Sequence, residues 1–148
     1  MNHKNVIHKH SNQRGFTLIE IMVVVIIISI LSALVAPQFF NKLDQAKEIA
    51  VQNDIKSISS QMAMYRLDNY SYPNTGEGIK ALVSNTGKKT WRGPYLPKMP
   101  LDPWKNEYQY QFPGTHNVNG FDVWSFGADG QAGGEGSNRD LGNWDEAK

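Results

Sequence analysis

A chain of 148 residues holds one folded domain and little more. Charged residues make up 20% and apolar ones 40%, the balance of a folded chain, and a net charge of +1 leaves no electrostatic footprint for nucleic acid. Cysteine is absent, which excludes a disulfide scaffold and any zinc or redox site built on a thiolate.

The charge is unevenly placed. Met1 to Gly15 carries Lys4, Lys9 and Arg14 and no acid, and ends in Gln13-Arg14-Gly15. An apolar run follows from Phe16 to Phe40, broken only by Thr17, Glu20, Ser29, Ser32, Pro37 and Gln38. About 20 such residues span a bilayer as a helix. The basic residues ahead of the run predict a cytoplasmic amino terminus, with the mixed-polarity remainder, 41–148, on the other side of the membrane.

The helix is predicted to continue beyond the apolar run. Leu43, Ala46, Ala50, Ile55, Ile58, Met62 and Tyr65 recur in steps that form one face, and no glycine or proline occurs between Gln38 and Tyr72. One helix from about Leu18 to about Leu67 is expected, with a kink or a locally melted turn at Pro37. Beyond Tyr72, Pro73, Gly76, Gly78 and the prolines at 94, 97, 100, 103 and 113 break any long helix. A short helix is expected from Gly78 to about Asn85. Antiparallel strands are expected at Glu107–Phe112 and Phe121–Phe126, with a turn at Asn119-Gly120. The tail from Gly127 to Lys148, rich in glycine and acids, reads as loop.

An ordinary secretory signal peptide does not fit the amino terminus. Glu20 stands five residues into the apolar run, Pro37 follows the best cleavage candidate at Ala36, and the run merges into an amphipathic helix. A plain membrane anchor leaves Glu20 unexplained, since an unpaired carboxylate in lipid costs about 2.5–3.5 kcal/mol or more. Cleavage after Gly15 would give Phe16 a free α-amino group, which could pair with the Glu20 of a neighbouring copy. Two charges costly in lipid alone would then favour assembly.

Arg14-Gly15-Phe16-Thr17-Leu18-Ile19-Glu20 resembles the type III signal of type IV pilins and pseudopilins. The resemblance implies that a prepilin peptidase cuts between Gly15 and Phe16 and methylates the new terminal Phe16, with Glu20 acting in assembly. The soluble part resembles one branch, general secretion pathway protein G. The matching stretches are Asp68-Asn69-Tyr70-Ser71-Tyr72-Pro73, Gly93-Pro94-Tyr95-Leu96-Pro97-Lys98, Asp102-Pro103-Trp104 and Asp122-Val123-Trp124-Ser125-Phe126-Gly127-Ala128-Asp129-Gly130. A type IV pilin would carry a cysteine pair near its end. The branch implies an α+β, pilin-like fold, in which a long N-terminal helix packs on a small antiparallel sheet. It also implies a leader (1–15), a transmembrane and filament-core helix (16–40) and a periplasmic domain (41–148). Function follows as the major subunit of the type II secretion pseudopilus. Its partners would be further copies of itself, minor pseudopilins, the prepilin peptidase, the inner membrane and an assembly platform with its ATPase. The rivals are a type IV pilin, a minor pseudopilin and a soluble periplasmic binding protein. Two residues depart from the branch: Lys105 stands where glycine is common, and Phe126 where leucine is usual.

The glycine-rich stretch from Gly127 to Gly136 has no lysine to cradle a phosphate, and its acids would repel one. Flexible backbone and carboxylates suit a hard cation, although alone such a loop is more often simply solvated. The resemblance implies calcium here, held by the side chains of Asp129 and Asp140 and the carbonyls of Phe126 and Ser137. Enzyme motifs are lacking: His116 is the one histidine outside the leader, in a polar turn, and no catalytic elbow, zinc helix or Walker loop occurs. Trp91, Trp104, Trp124 and Trp144 are read as core and subunit contacts rather than a carbohydrate platform.

Overall fold

Helix α1 spans Leu18–Asn69 in the computed structural model, which describes residues 15–145. The helix is continuous through Pro37, so the expected melted turn does not form there. A proline removes one backbone donor, and the turns on either side keep their own bonds. Residues 1–14 of the expected leader (1–15) lie outside the described residues, as do the side chains of Leu34 and residues 36–41. Among the described residues no helix is long and apolar enough to cross a membrane. The unbroken run of described side chains stops at Ala33, short of the roughly 20 residues a bilayer takes.

The chain forms two units, one ending at Phe40 and the other starting at Asn41. In the first, apolar side chains are exposed all round the helix: Val23, Val24, Val25, Ile26, Ile27 and Ile28 are each about half exposed. In the second, α1 buries one stripe, Val51, Ile55, Ile58, Met62 and Tyr65, at steps of three and four. The predicted face began earlier, at Leu43 and Ala46, but both are exposed. The stripe is covered only where the rest of the unit meets it.

That covering comes from two places. Helix α2, Lys80–Val83, is shorter than the predicted 78–85 and buries Ala81 and Leu82. The sheet has three antiparallel strands in the order β1-β2-β3: Gln109–Gln111, Asp122–Ser125 and Leu141–Gly142. Tyr110 pairs with Val123, and Ser125 with Leu141. Tyr108, Tyr110, Phe121, Val123 and Leu141 join the helical stripe in one core.

Both expected strands are trimmed, and the polar partners show why. Thr75 Oγ1 donates to the Phe112 carbonyl and accepts from its N–H, both at 3.0 Å, ending β1 at Gln111. The Phe121 carbonyl is taken by the side-chain amides of Asn143 (2.9 Å) and Asn117 (3.3 Å), so β2 starts one residue later. The connection closes with the Gly120 N–H donating to the Asn117 carbonyl at 2.8 Å, a turn around the expected Asn119-Gly120. The tail departs from expectation: besides loop it supplies a 3-10 turn, Gly136–Asn138, and the third strand.

Candidate functional site

The entry to α1 is built by four residues. Thr17 stands just outside the helix and Glu20 three residues on, the spacing of a capping box. The Thr17 N–H donates to Glu20 Oε2 at 2.7 Å, the Thr17 hydroxyl donates to the same oxygen at 2.8 Å, and the Glu20 N–H donates back to Thr17 Oγ1 at 3.3 Å. Glu20 therefore has a partner within its own chain, which the sequence reading did not assign. The two bonds that reach the carboxylate both fall on Oε2, leaving Oε1 for a cation. Phe16, the residue just before this cap, is fully accessible at 84%.

The glycine-rich segment is held at both ends. Asp102, buried in the 101–107 turn, accepts the N–H groups of Trp104 (3.0 Å) and Asn106 (2.8 Å) on one oxygen. Its other oxygen accepts the Ser125 hydroxyl at 2.6 Å, and Ser125 Oγ accepts the Gly127 N–H at 3.0 Å. Asn106 donates to the Gly127 carbonyl at 3.2 Å. At the far end Arg139 Nη2 lies 3.0 Å from Glu48 Oε2 on α1. Between these braces, Gly127 adopts φ +72, and a Cβ there would come within 2.8 Å of the carbonyl oxygens of Ser137 and Arg139. Only glycine lets the two strands of the loop close so tightly. The Ala128 N–H donates to the Ser137 carbonyl at 2.9 Å across this contact.

The four predicted ligands are distributed accordingly. Phe126 follows β2, and Ser137 lies in the 3-10 turn brought against residues 127–128. Asp140 precedes β3; its Oδ2 accepts the Gly133 N–H at 3.0 Å, while its Oδ1 is buried with no hydrogen-bond partner. Asp129 is exposed, and its Oδ1 accepts the Gln131 N–H at 3.1 Å within its own turn. Among the described residues no three acidic, histidine or cysteine side chains gather as a metal set. The four residues implied by the resemblance would offer two carboxylates and main-chain oxygens, donors whose chemistry fits calcium and not zinc. A buried carboxylate oxygen without a donor is the atom a cation would satisfy.

A second cluster escaped the sequence reading. Asp122 is buried on β2, and the 115–117 loop wraps its carboxylate. Oδ2 accepts from the N–H groups of Thr115 (2.7 Å) and His116 (2.8 Å), and Oδ1 from the Asn117 N–H (2.9 Å) and side-chain amide (3.0 Å). Burial alone would raise its pKa, but the N–H groups of His116, Asn117 and Thr115 and the Thr115 hydroxyl outweigh it and bring it down to about 2. His116 is half of a stacked pair with Trp144, ring centroids 3.9 Å apart, and its Nδ1 lies 3.2 Å from Asp122. It is a structural residue, more tied down than a solvated turn. All four tryptophans are partly buried; Trp91 donates to the Ala81 carbonyl at 2.8 Å, and Trp124 meets Phe126 and Trp144 edge-on and tilted.

A capped helix whose described apolar side chains are exposed, continuing into an amphipathic stripe packed on a small antiparallel sheet, defines an α+β, pilin-like subunit. Residues 38–144 match the type II secretion system (T2SS) protein G family, and residues 10–36 match the prokaryotic N-terminal methylation motif. The chain belongs to the type II secretion system protein G family. It is 51% identical over 138 residues to the type II secretion system core protein G of Pseudomonas aeruginosa, covering 90% of this chain and 96% of that protein. The Vibrio cholerae protein of the same description is 43% identical over 140 residues, covering 92% and 94%. The fold matches the crystal structure of the major pseudopilin from the type 2 secretion system of enterohaemorrhagic Escherichia coli. The TM-score is 0.60 at 37% identity, covering 72% of this chain and 93% of that one. These matches point to a membrane-anchored structural subunit, not an enzyme. They support the major-subunit reading over a type IV pilin, a minor pseudopilin or a soluble binding protein.

Proposed function

We propose that the chain is made as a precursor, cut between Gly15 and Phe16 by a prepilin peptidase, methylated on Phe16, and polymerised into the pseudopilus of a type II secretion system. The observation that carries this reading is the Gly15-Phe16 junction set directly ahead of a capped helix whose apolar side chains are exposed on every side. Such a helix needs lipid before assembly and copies of itself afterwards. Residues 16–40 would lie in the inner membrane with the amino terminus cytoplasmic, and 41–148 in the periplasm. An assembly platform and its ATPase would supply the work of extraction, minor pseudopilins would join the filament, and its growth would drive folded proteins through the outer membrane. Glu20 Oε1 would receive the Phe16 ammonium of a neighbour, while Oε2 keeps its own cap. The intact mass of the protein from its native membrane tests the processing. Loss of Met1–Gly15 with gain of one methyl group is expected; cleavage after Ala36 would overturn the reading.

The loop after β2 would hold calcium through the carboxylates of Asp129 and Asp140 and the carbonyls of Phe126 and Ser137. The unpartnered Asp140 Oδ1 supports this. The ion would tie the two strands of the loop together beside the Asp102–Ser125 brace. Calcium is expected to raise the melting temperature of the full chain in detergent, and a chelator to reverse that rise. Asp140→Asn should remove most of the calcium response. A melting temperature indifferent to both calcium and chelator sinks the site.

A further inference from the structure

Two oppositely charged surfaces stand at opposite ends of the second unit's part of α1. From Ile79 to Met99 the chain carries Lys80, Lys88, Lys89, Arg92 and Lys98 and no acid. From Gly127 to Asp145 it carries Asp129, Glu135, Asp140 and Asp145 against Arg139 alone. The basic segment is fixed on the C-terminal end of α1: Thr90 donates to Asn69 at 2.7 Å, Tyr95 donates to Asp68 at 2.8 Å, and Lys88 lies over the Tyr65 ring at 5.1 Å. The acidic segment is fixed near the start of this stretch by the Arg139–Glu48 pair. Glu48 and Tyr65 are about 25 Å apart along the helix at its usual rise. That is beyond the Debye length at physiological salt, roughly 8 Å, so the two surfaces do little for each other within one chain.

Their charges are also largely unspent. Lys80, Lys89, Arg92 and Lys98 are exposed and have no ion-pair partner among the described residues. Glu135 is exposed with a free carboxylate, and Asp145 uses one oxygen to accept the Gly142 N–H. The charged α1 residues on either side of Glu48, from Lys42 to Lys56, balance in sign, three basic against three acidic with Glu48 included, so they add no net charge to that stretch.

We infer that the basic loop of one copy, through Lys89 and Arg92, docks on the acidic 127–145 segment of the next copy, through Glu135 in the glycine-rich loop and Asp145 in the turn after β3. The contact joins two different patches, so it is head-to-tail and propagates a filament instead of closing a dimer. It rests on the assembly reading above and gives that reading a surface in the soluble unit. Calcium held by Asp129 and Asp140 would leave Glu135 and Asp145 free for the contact while fixing the loop that presents Glu135.

The test is made in full-length, processed protein. Lys89→Glu with Arg92→Glu should cut filament yield about tenfold, because like charges would then face each other, and Glu135→Lys with Asp145→Lys in the same chain should restore it. As a second arm, Arg92→Cys and Glu135→Cys introduce the only two thiols in a chain that has none. A short bis-maleimide should then give a ladder of linked copies in filaments and not in detergent-dispersed subunits. Normal yield from the charge-reversed chain, or unlinked filaments from the thiol pair, overturns this contact and leaves the assembly reading standing. Absence of filaments from the unmodified processed chain overturns both.

Discussion

The two parts of α1 use apolar side chains in opposite ways. Val51, Ile55, Ile58, Met62 and Tyr65 are almost fully buried, and the residues between them face solvent. From Leu18 to Ala33 no face is covered, and Ile26, at 54% exposure, is as open as its neighbours on every side. The difference says where the partner of each part lies. A stripe is matched to one surface, and here the sheet and α2 of the same chain supply it. An apolar surface running all the way round is matched to an environment, which in the proposed assembly would be lipid first and other copies afterwards.

The largest expected effect breaks the comparison at its buried side. Ile58→Ala should cost about 2–5 kcal/mol of stability through lost burial and the cavity left behind. Ile26→Ala should leave the unfolding of the same domain unchanged, since Ile26 is half exposed and belongs to the first unit. All four tryptophans lie in that unit, so fluorescence-monitored melting of the full chain in detergent reports it selectively. An equal loss of melting temperature from both variants would show that the two parts are not independent. At the helix entry, Glu20→Gln separates the cap from the charge, because an amide oxygen still accepts from Thr17. Melting should be unaffected while filament yield falls as far as with Glu20→Ala; normal filaments from either variant would remove the charge pairing.

The next effect is smaller and depends on pH. Asp122 is ionised in the folded state down to about pH 2, against an ordinary carboxylate near 4. Its folded pKa is depressed, so it stabilises the domain above the unfolded value, and that contribution disappears as pH falls from about 4 through 2. By linkage the amount is about 2 kcal/mol. Asp122→Asn should lower stability at pH 7 by about that much and flatten the acid limb of the stability profile. An unchanged acid limb would mean that the 115–117 cradle does not hold the charge.

Periodicity made α1 legible almost to its end, because a 52-residue helix leaves a long record of threes and fours. The Thr17-x-x-Glu20 spacing was equally visible, and a capping box could have been read from it. Strand β3 was not legible: Leu141-Gly142 is too short to show alternation, and it exists because β2 offers an open edge to whatever chain returns there. Asp102 and Asp122 were missed for a related reason. A buried carboxylate looks like any surface acid in sequence, and only the backbone N–H groups of distant or looped residues reveal its role. Asp140 is implied as a ligand only by the resemblance, and that its Oδ1 is buried without a donor is visible only in three dimensions.

The smallest effect sharpens the comparison by improving one side without touching the other. Lys105 adopts φ +73, the left-handed region, in the turn that Asp102 closes through the N–H groups of Trp104 and Asn106. A side chain there costs about 1–2 kcal/mol relative to a residue without a Cβ. Lysine in place of the more usual glycine thus leaves the turn strained at a point where Asp102, Ser125 and Gly127 hold the glycine-rich loop. Lys105→Gly should raise stability by about 1 kcal/mol, less the entropy glycine adds to the unfolded chain. Its side chain is exposed and is not one of the residues proposed for the contact between copies, so filament yield should stay as it was. A gain in melting temperature with unchanged filaments is the signature of strain confined to the folded unit; a loss would mean that the lysine side chain contributes more than its backbone costs.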